Sequence, residues 1–402
     1  MGTKATKGGL CLALAVAAAC GMAETANAET TAAGSTSAGS APWPRIVWGG
    51  ELEVQIQSDT NLGVKDRRAY NVAFTKTEGN FYLNVGDYLS LHSKVTLDQV
   101  RDRFRTGFFR DEGLFVEELY ARVDLAPYAP FAVYGGKFNP RFGRGFDIAP
   151  GIYGDEFAQD YELTERLGIG IAWVLPVEFG RHEFRAEAFA ADATFLSNGW
   201  ITRPSPDDPL ATRIGRNRLS FGGASNTGNL SSTVISLRGG SFPGLRGLGY
   251  QISYSRQTPG QPANPAEDFV PFKVENGLSF SLYWEELPLT DRLSMTPLVE
   301  YVRLWHAGGG EANADYVTAA LEFKYYAWKL SGVFGLRHFE RGDEPNTRDS
   351  FASATLSYDL NNLRIGAFRF KNLEISAGYK ALREDRVWRH TIGTQLVYLI
   401  KF

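Results

Sequence analysis

Apolar and polar residues alternate along most of the chain from Arg45 onward. The clearest early case is the segment 51–57, in which Leu52, Val54 and Ile56 alternate with glutamates and glutamines. Successive side chains of a β-strand point to opposite faces, so this pattern predicts strands with one apolar and one polar face. Later apolar rows of the same kind are Leu119-Ala121-Val123, Leu167-Ile169-Ile171-Trp173, Leu278-Phe280-Leu282-Trp284, Val317-Ala319-Leu321-Phe323 and Leu373-Ile375-Ala377-Tyr379.

The connections between these segments alternate in length. Short ones are predicted near 77–80, 125–130, 176–181, 239–248, 286–291, 326–327 and 360–363, the first as a turn at Glu78-Gly79-Asn80. Longer ones are predicted at 98–115, 139–165, 192–229, 257–273, 306–314, 339–349 and 381–387. Short periplasmic turns and longer external loops are typical of transmembrane barrels. The pattern predicts an all-β, antiparallel up-and-down transmembrane barrel of about sixteen strands.

Aromatic residues are concentrated on the side of the short connections. In a transmembrane barrel they would form a girdle at the inner boundary between lipid and water. These residues are Tyr128, Phe131, Trp173, Phe179, Trp284, Tyr325, Trp328 and Tyr358.

The chain ends on an amphipathic strand and a terminal Phe402. Ile392, Leu396, Tyr398 and Ile400 share its apolar face. Such an ending resembles the sorting signal that the assembly machinery of outer-membrane barrels recognises. An unpaired edge strand at the end of a chain promotes aggregation, so we expect this strand to pair with the segment 51–57 and close the barrel.

The N-terminus carries the features of a cleaved signal peptide. Lys4 and Lys7 precede an apolar stretch of about ten residues, and Ala26-Asn27-Ala28 supplies the cleavage pattern. We therefore predict a signal peptide at 1–28, a flexible lead-in at 29–44 and the barrel at 45–402. An alternative makes Cys20 a lipoprotein cysteine, although Ala28 is the better site.

Composition narrows the function classes further. Both cysteines, Cys11 and Cys20, lie in the signal peptide, so the predicted mature chain has no disulfide, thiolate metal site or cysteine nucleophile. The net charge of −3 predicts no nucleic-acid affinity. A soluble protein of tandem β-sandwiches would show the same alternation, but it would not explain the signal peptide, the loop asymmetry or the terminal strand.

A hairpin around residues 114–143 resembles the porin superfamily. The segment 114–124, Leu-Phe-Val-Glu-Glu-Leu-Tyr-Ala-Arg-Val-Asp, is followed by a turn and then by Gly135-Gly136-Lys137-Phe138-Asn139-Pro140-Arg141-Phe142-Gly143. Both parts are similar to the matching hairpin of phosphate-selective and related porins. The chain lacks the lysine-dense ladder that phosphate selectivity requires, so the resemblance does not extend to phosphate.

The porin resemblance implies a set of channel residues. In such porins the third external loop, here about 139–165, folds inward and narrows the channel, with acidic residues facing a basic wall. Ion selectivity follows from charges at such a constriction. The resemblance places Asp147, Asp155 and Glu156 on the acidic side and Arg122, Arg141, Arg144 and Arg185 on the basic side.

Catalytic and cofactor chemistry find no support in the sequence. No nucleophile elbow surrounds a serine, and the five histidines show no triad or metal-ligand spacing. His306, His338 and His390 are predicted in external loops or at strand ends. We expect neither an enzyme nor a cofactor, with a surface hydrolase as the remotest alternative.

The sequence therefore predicts a porin of a Gram-negative outer membrane. Sixteen strands enclose more space than side chains fill, so the centre is expected to be a water channel for small hydrophilic solutes and ions. Alternatives are a substrate-specific channel and a plugged structural or adhesive barrel. Expected partners are outer-membrane lipid and the barrel assembly machinery, and the porin resemblance implies a homotrimer.

Overall fold

Sixteen long strands dominate the residues that the structure, a computed structural model, describes. Those residues are 45–63, 68–100, 106–110, 112–125, 129–201, 216–267, 269–342, 345–361, 364–366, 368–369 and 371–402. The first eight strands are β1 (Ile46–Leu62), β2 (Tyr70–Val85), β3 (Leu89–Gln99), β4 (Glu112–Asp124), β5 (Phe131–Phe138), β6 (Arg166–Val177), β7 (Gly180–Ala191) and β8 (Ser232–Phe242). The others are β9 (Leu245–Gln257), β10 (Glu275–Trp284), β11 (Leu293–Trp305), β12 (Asn313–Tyr325), β13 (Trp328–Glu340), β14 (Thr347–Asp359), β15 (Leu373–Glu384) and β16 (Val387–Lys401).

Each long strand pairs antiparallel with the next, and the last pairs with the first. The β1–β16 register runs from Glu51 opposite Lys401 to Leu62 opposite His390. The chain therefore forms a closed sixteen-stranded barrel, which confirms the predicted fold and the predicted closure of the terminal strand. The predicted signal peptide and lead-in lie outside the described residues and stay predictions.

The helices of the described part are single turns, such as Gly145–Ile148 and Ala158–Asp160. None of them is long and apolar enough to cross a bilayer.

The barrel has an apolar outside and a polar inside. Outward side chains such as Ile169, Val299 and Leu330 are more than half exposed, whereas inward Ser279 and Gln251 are fully buried. A soluble sandwich would bury the apolar face and expose the polar one. The observed distribution is the reverse, so the soluble alternative fails.

The connections separate the barrel into a short-turn end and a long-loop end. At the short-turn end lie the strand ends that are joined through 86–88, 125–130, 178–179, 243–244, 285–292, 326–327 and 360–372, together with both ends of the sheet, at Ile46 and Lys401. At the long-loop end lie the strand ends that are joined through 63–69, 100–111, 139–165, 192–231, 258–274, 306–312, 341–346 and 385–386. The predicted alternation of lengths is confirmed for most of the chain.

Two predicted connections were wrong. Glu78-Gly79-Asn80 is not a turn but lies within β2, where Gly79 pairs with Leu52. A Cβ at Gly79 would lie 2.8 Å from the Phe81 ring, so glycine serves side-chain packing there. The predicted longer loop at 381–387 is a two-residue turn, in which Asp385 and Arg386 both have positive φ. That backbone is typical of the tightest hairpins.

The predicted concentration of aromatic residues at the short-turn end is confirmed for the described residues. Phe131, Trp173, Phe179, Tyr325 and Trp328 are all exposed there. The Trp328 ring lies 4.6 Å from that of Tyr358, between centroids. Trp284 ends β10 at the same rim, and Tyr128 lies outside the described residues.

A β-bulge in β4 turns two consecutive glutamates inward. The β3–β4 register shifts between Lys94, which faces Glu118, and Val95, which faces Val116. Glu117 is the extra residue, and its carboxylate lies 2.9 Å from the ammonium group of Lys94. The Glu118 carboxylate accepts a hydrogen bond from the backbone N–H of Asn139. The bulge thus helps to position the start of the loop at 139–165.

Deletion of Phe402 should destabilise the barrel at its seam. Phe402 exchanges two backbone hydrogen bonds with Gly50, and its ring lies within 6.2 Å of those of Trp48 and Phe81. We expect the free energy of unfolding in lipid vesicles to fall by about 2 kcal/mol. Denaturant titration followed by tryptophan fluorescence measures it. Phe179→Ala, in a turn and 75% exposed, is the control and should change little. Equal losses in both variants would argue against a special role for the terminus.

Candidate functional site

The connection between β5 and β6, residues 139–165, folds into the barrel and contacts its inner wall. We call it the inserted loop. The backbone N–H of Gly143 donates to the hydroxyl of Ser279 on β10, and that of Ile152 donates to Thr355 on β14. The hydroxyl of Tyr153 donates to Asp59 on β1 at 2.8 Å. The loop therefore crosses the interior from the middle strands to the first strand.

Glu300 on β11 is the most extensively used anchor of the inserted loop. Its side chain is 1% exposed. It accepts hydrogen bonds from the backbone N–H groups of Arg144 and Gly145 and from the hydroxyls of Tyr161 and Ser281. A buried carboxylate needs such donors, because it cannot be left without partners. The pKa of the Tyr161 phenol is raised by burial and by the Glu300 carboxylate, which keeps that phenol a donor.

Arg337 on β13 holds the later part of the loop. Its guanidinium group binds Asp160 of the loop at 2.7 Å, and Asp349 and Glu384 of the wall at 2.9 Å. The same group lies 4.6 Å from the ring centre of Phe157, which packs edge-on against Phe351. The loop is thus fixed by charge and by apolar contact together.

Arginines surround the start of the loop. Arg141 of the loop and Arg185 of β7 both bind the Glu183 carboxylate at 2.6 Å. The backbone N–H of Arg141 donates to Glu187, which also accepts from the hydroxyl of Tyr134. Burial, and then the neighbouring Arg185, lower the pKa of Arg141. This side of the loop is closely packed against β5, β7 and β9.

The other side of the loop borders a cavity of about 1460 Å³, which we call the long cavity. Its wall includes Asn361 and Asn372 at the short-turn end, and Arg68 and Asp385 at the long-loop end. The long cavity therefore reaches both ends of the barrel. Strands β1, β2, β15 and β16 form most of its wall, and the inserted loop contributes Phe146, Ala149, Gly151, Ile152, Tyr153, Asp155, Glu156 and Gln159.

The predicted acidic residues divide between two environments. Asp155 and Glu156 line the long cavity, where the structure pairs them with lysines instead of the expected arginines. Asp155 lies 3.7 Å from the ammonium group of Lys76 on β2, and Glu156 lies 2.6 Å from that of Lys380 on β15. Asp147 is instead bound by its own neighbour in the loop, Arg144, at 2.7 Å.

None of the four predicted arginines belongs to the wall of the long cavity. Arg141 and Arg185 meet at Glu183. Arg144 lies over the Tyr283 ring. Arg122 binds Asp124 near the short-turn end and lines a second, smaller cavity there. The structure therefore brings three of these arginines around the first part of the loop and leaves Arg122 apart.

Sequence reasoning missed the residues that hold the loop. Glu300, Arg337, Asp59, Lys76 and Lys380 were not among the expected site residues. Their inward orientation could be read from strand alternation, because each lies on the polar face of its strand. Their partners could not be predicted, because the path of a 27-residue loop leaves no periodic pattern in the sequence.

Tyr153 illustrates how the loop is kept against the first strand. Burial and the Asp59 carboxylate raise the pKa of the Tyr153 phenol well above its usual range. The phenol therefore stays protonated and remains a hydrogen-bond donor to Asp59. Lys380 lies 4.8 Å from the same ring centre, which adds a cation–π contact.

Histidines and acidic residues of the described part form no group that could hold a metal ion. His306, His338 and His390 lie at the long-loop end, as predicted. His338 contacts the backbone carbonyl of Thr347, and His390 contacts the hydroxyl of Tyr379. Neither contact resembles the pairing of a base with a nucleophile.

Comparison with known proteins finds similarity in fold. No family model and no curated protein sequence matches the chain. The outer membrane channel DcaP of Acinetobacter baumannii superposes with a TM-score of 0.51 at 10% identity, over 90% of this chain and 99% of that one. OccAB3 of Acinetobacter baumannii superposes with a TM-score of 0.48 at 10% identity, over 88% of this chain and 99% of that one. OmpT of Vibrio cholerae, in its trimer form, superposes with a TM-score of 0.46 at 9% identity, over 89% of this chain and 100% of that one. The chain shares the barrel fold of the first of these.

Replacement of Glu300 by alanine should release the first part of the inserted loop. The change removes the acceptor of four hydrogen bonds and leaves buried N–H and O–H donors without partners. We expect amide hydrogen exchange at 143–146 to accelerate by at least about tenfold, which corresponds to roughly 1.4 kcal/mol of local stability. Mass spectrometry of the folded protein measures it.

Ser281→Ala removes only one of these four partners and is the matched control. Its effect on exchange should be clearly smaller. Unchanged protection in Glu300→Ala would mean that other contacts suffice to hold the loop.

Proposed function

We propose that this protein is an outer-membrane porin, a channel for passive diffusion of small hydrophilic solutes and ions. The long cavity carries this proposal, because it is polar and reaches both ends of a closed barrel. In this proposal the inserted loop is the constriction. Solutes pass between the loop and the wall formed by β1, β2, β15 and β16.

The surface of the barrel supports a place in a membrane. Its outward residues are mostly apolar around the sheet, and aromatic side chains lie at the short-turn end. Lipid contact requires every backbone group to be paired within the protein, and the closed sheet meets that requirement. The fold is shared with DcaP, which is an outer membrane channel. Export through the inner membrane by the predicted signal peptide belongs to the same proposal.

The predicted constriction residues take unequal parts in this proposal. Asp155 and Glu156 line the passage directly, and Arg141, Arg144 and Asp147 fix the loop that bounds it. Arg185 supports Arg141 through Glu183. Arg122 bounds the smaller cavity at the short-turn end.

Partners follow from the same arrangement. The apolar outer surface fits outer-membrane lipid. Phe402 is half exposed at the short-turn rim, where assembly machinery facing the periplasm could bind it. A homotrimer is proposed from the porin resemblance of the hairpin at 114–143.

The purified, folded protein should form stepwise channels in planar lipid bilayers. The inserted loop leaves the long cavity open, so we expect conductance without any added activator. A folded sample that gives no discrete openings would contradict the proposal and favour the plugged structural barrel.

A tryptophan placed in the long cavity should reduce the conductance of a single channel. Gln395 on β16 faces this cavity, whereas its neighbour Thr394 faces outward. We expect Gln395→Trp to lower the conductance by about half because the bulky ring obstructs the polar passage. Thr394→Trp adds the same ring on the outside and should leave conductance unchanged. Equal conductance in both variants would place the current elsewhere in the barrel.

A further inference from the structure

The wall of the long cavity carries an excess of negative charge. Among the described residues, ten carboxylates line it against five lysines and arginines. The acidic residues are Glu53, Asp59, Asp98, Asp155, Glu156, Glu322, Asp359, Glu374, Glu384 and Asp385, and the basic ones are Arg68, Lys76, Lys329, Lys380 and Arg389. A narrow passage with one dominant sign of charge concentrates ions of the opposite sign.

Most of the basic side chains are already neutralised within this wall. Lys329 binds Glu374 at 2.7 Å, and Arg389 binds Glu384 at 2.9 Å. Lys76 and Lys380 bind the two carboxylates of the inserted loop. Other lining carboxylates receive hydrogen bonds from neutral groups instead, as Asp359 does from Asn361. The charged lining residues that remain outside these ion pairs are therefore mainly negative.

The excess is clearest at the short-turn end of β12 to β15. Glu322, Lys329, Asp359 and Glu374 lie there on consecutive strands, and we call them the mouth cluster. Asp359 and Glu374 are directly opposite each other in the β14–β15 register. Like charges in that position are destabilising. Lys329 offsets one of these charges by its ion pair with Glu374, so the mouth cluster keeps three carboxylates against one ammonium group, an arrangement that attracts cations.

The three arginines around the first part of the inserted loop do not offset this charge. Arg141, Arg144 and Arg185 lie on the other side of the inserted loop, away from the long cavity. Each is bound by a carboxylate, either Glu183 or Asp147. An ion in the long cavity is therefore separated from them by the loop itself.

We propose that the passage is selective for cations and that Glu322 and Asp359 of the mouth cluster are specificity-determining residues. This inference rests on the proposed channel function. Small inorganic cations and cationic organic solutes are the favoured permeants, and anions are disfavoured by the same field.

The reversal potential in a KCl gradient tests the inference. Salt near 0.1 M keeps the Debye length at about 10 Å, so the wall charges are not fully screened. For the unmodified protein we expect a ratio of K⁺ to Cl⁻ permeability of about 3 or more. A ratio below one would overturn cation selectivity and would indicate that ions pass along the arginine side of the loop.

Neutralisation of the mouth cluster tests the named residues. The double variant E322Q/D359N removes two carboxylates that form no hydrogen bond or ion pair with the inserted loop in the described structure. We expect the permeability ratio to fall to about half its original value, with single-channel conductance still present.

The matched control is E286Q/E311Q, which removes two carboxylates outside the cavity, each paired with a lysine. It should keep the original ratio. Equal ratios in the two double variants would overturn the role of Glu322 and Asp359. Absence of any channel in folded, unmodified protein would instead overturn the proposed function, so the two failures are distinguishable.

Discussion

Pairing of every backbone N–H and C=O group is the constraint on which this structure depends. A sheet with free edges would leave two rows of such groups unpaired, and hydrocarbon supplies no partner for them. The pairing of β16 with β1 removes both edges. Closure with sixteen strands then fixes an interior wider than side chains can fill. The polar inner face and the inserted loop are consequences of that width.

The inserted loop is held by buried charges and hydrogen bonds together with apolar packing against the wall. Glu300 accepts four hydrogen bonds, and Arg337 joins loop and wall through three carboxylates. Such groups are costly to bury unless all their partners are in place. The loop therefore has one well-defined position inside the barrel. The opposite side of the interior stays open as the long cavity.

Strand alternation alone predicted most of the fold. It identified the number of strands, their facing and the closure at the C-terminus, because each depends on local periodicity or on chain ends. It failed where local chemistry was ambiguous. Gly79 and its polar neighbours have the composition of a turn, yet Gly79 lies inside β2, where it leaves room for the Phe81 ring. The bulge at Glu117 has no sequence signature of its own. The ion pairs of Asp155 and Glu156 join residues far apart in sequence, so only the folded chain reveals them.

The two ends of the sheet meet in the wall of the long cavity. Strands β1 and β2 come from the start of the barrel and β15 and β16 from its end, and together they form most of that wall. The long cavity thus has no complete wall until the last strand has joined the first. Completion of folding and enclosure of the long cavity are consequently one event, and a partly assembled chain contains no enclosed cavity.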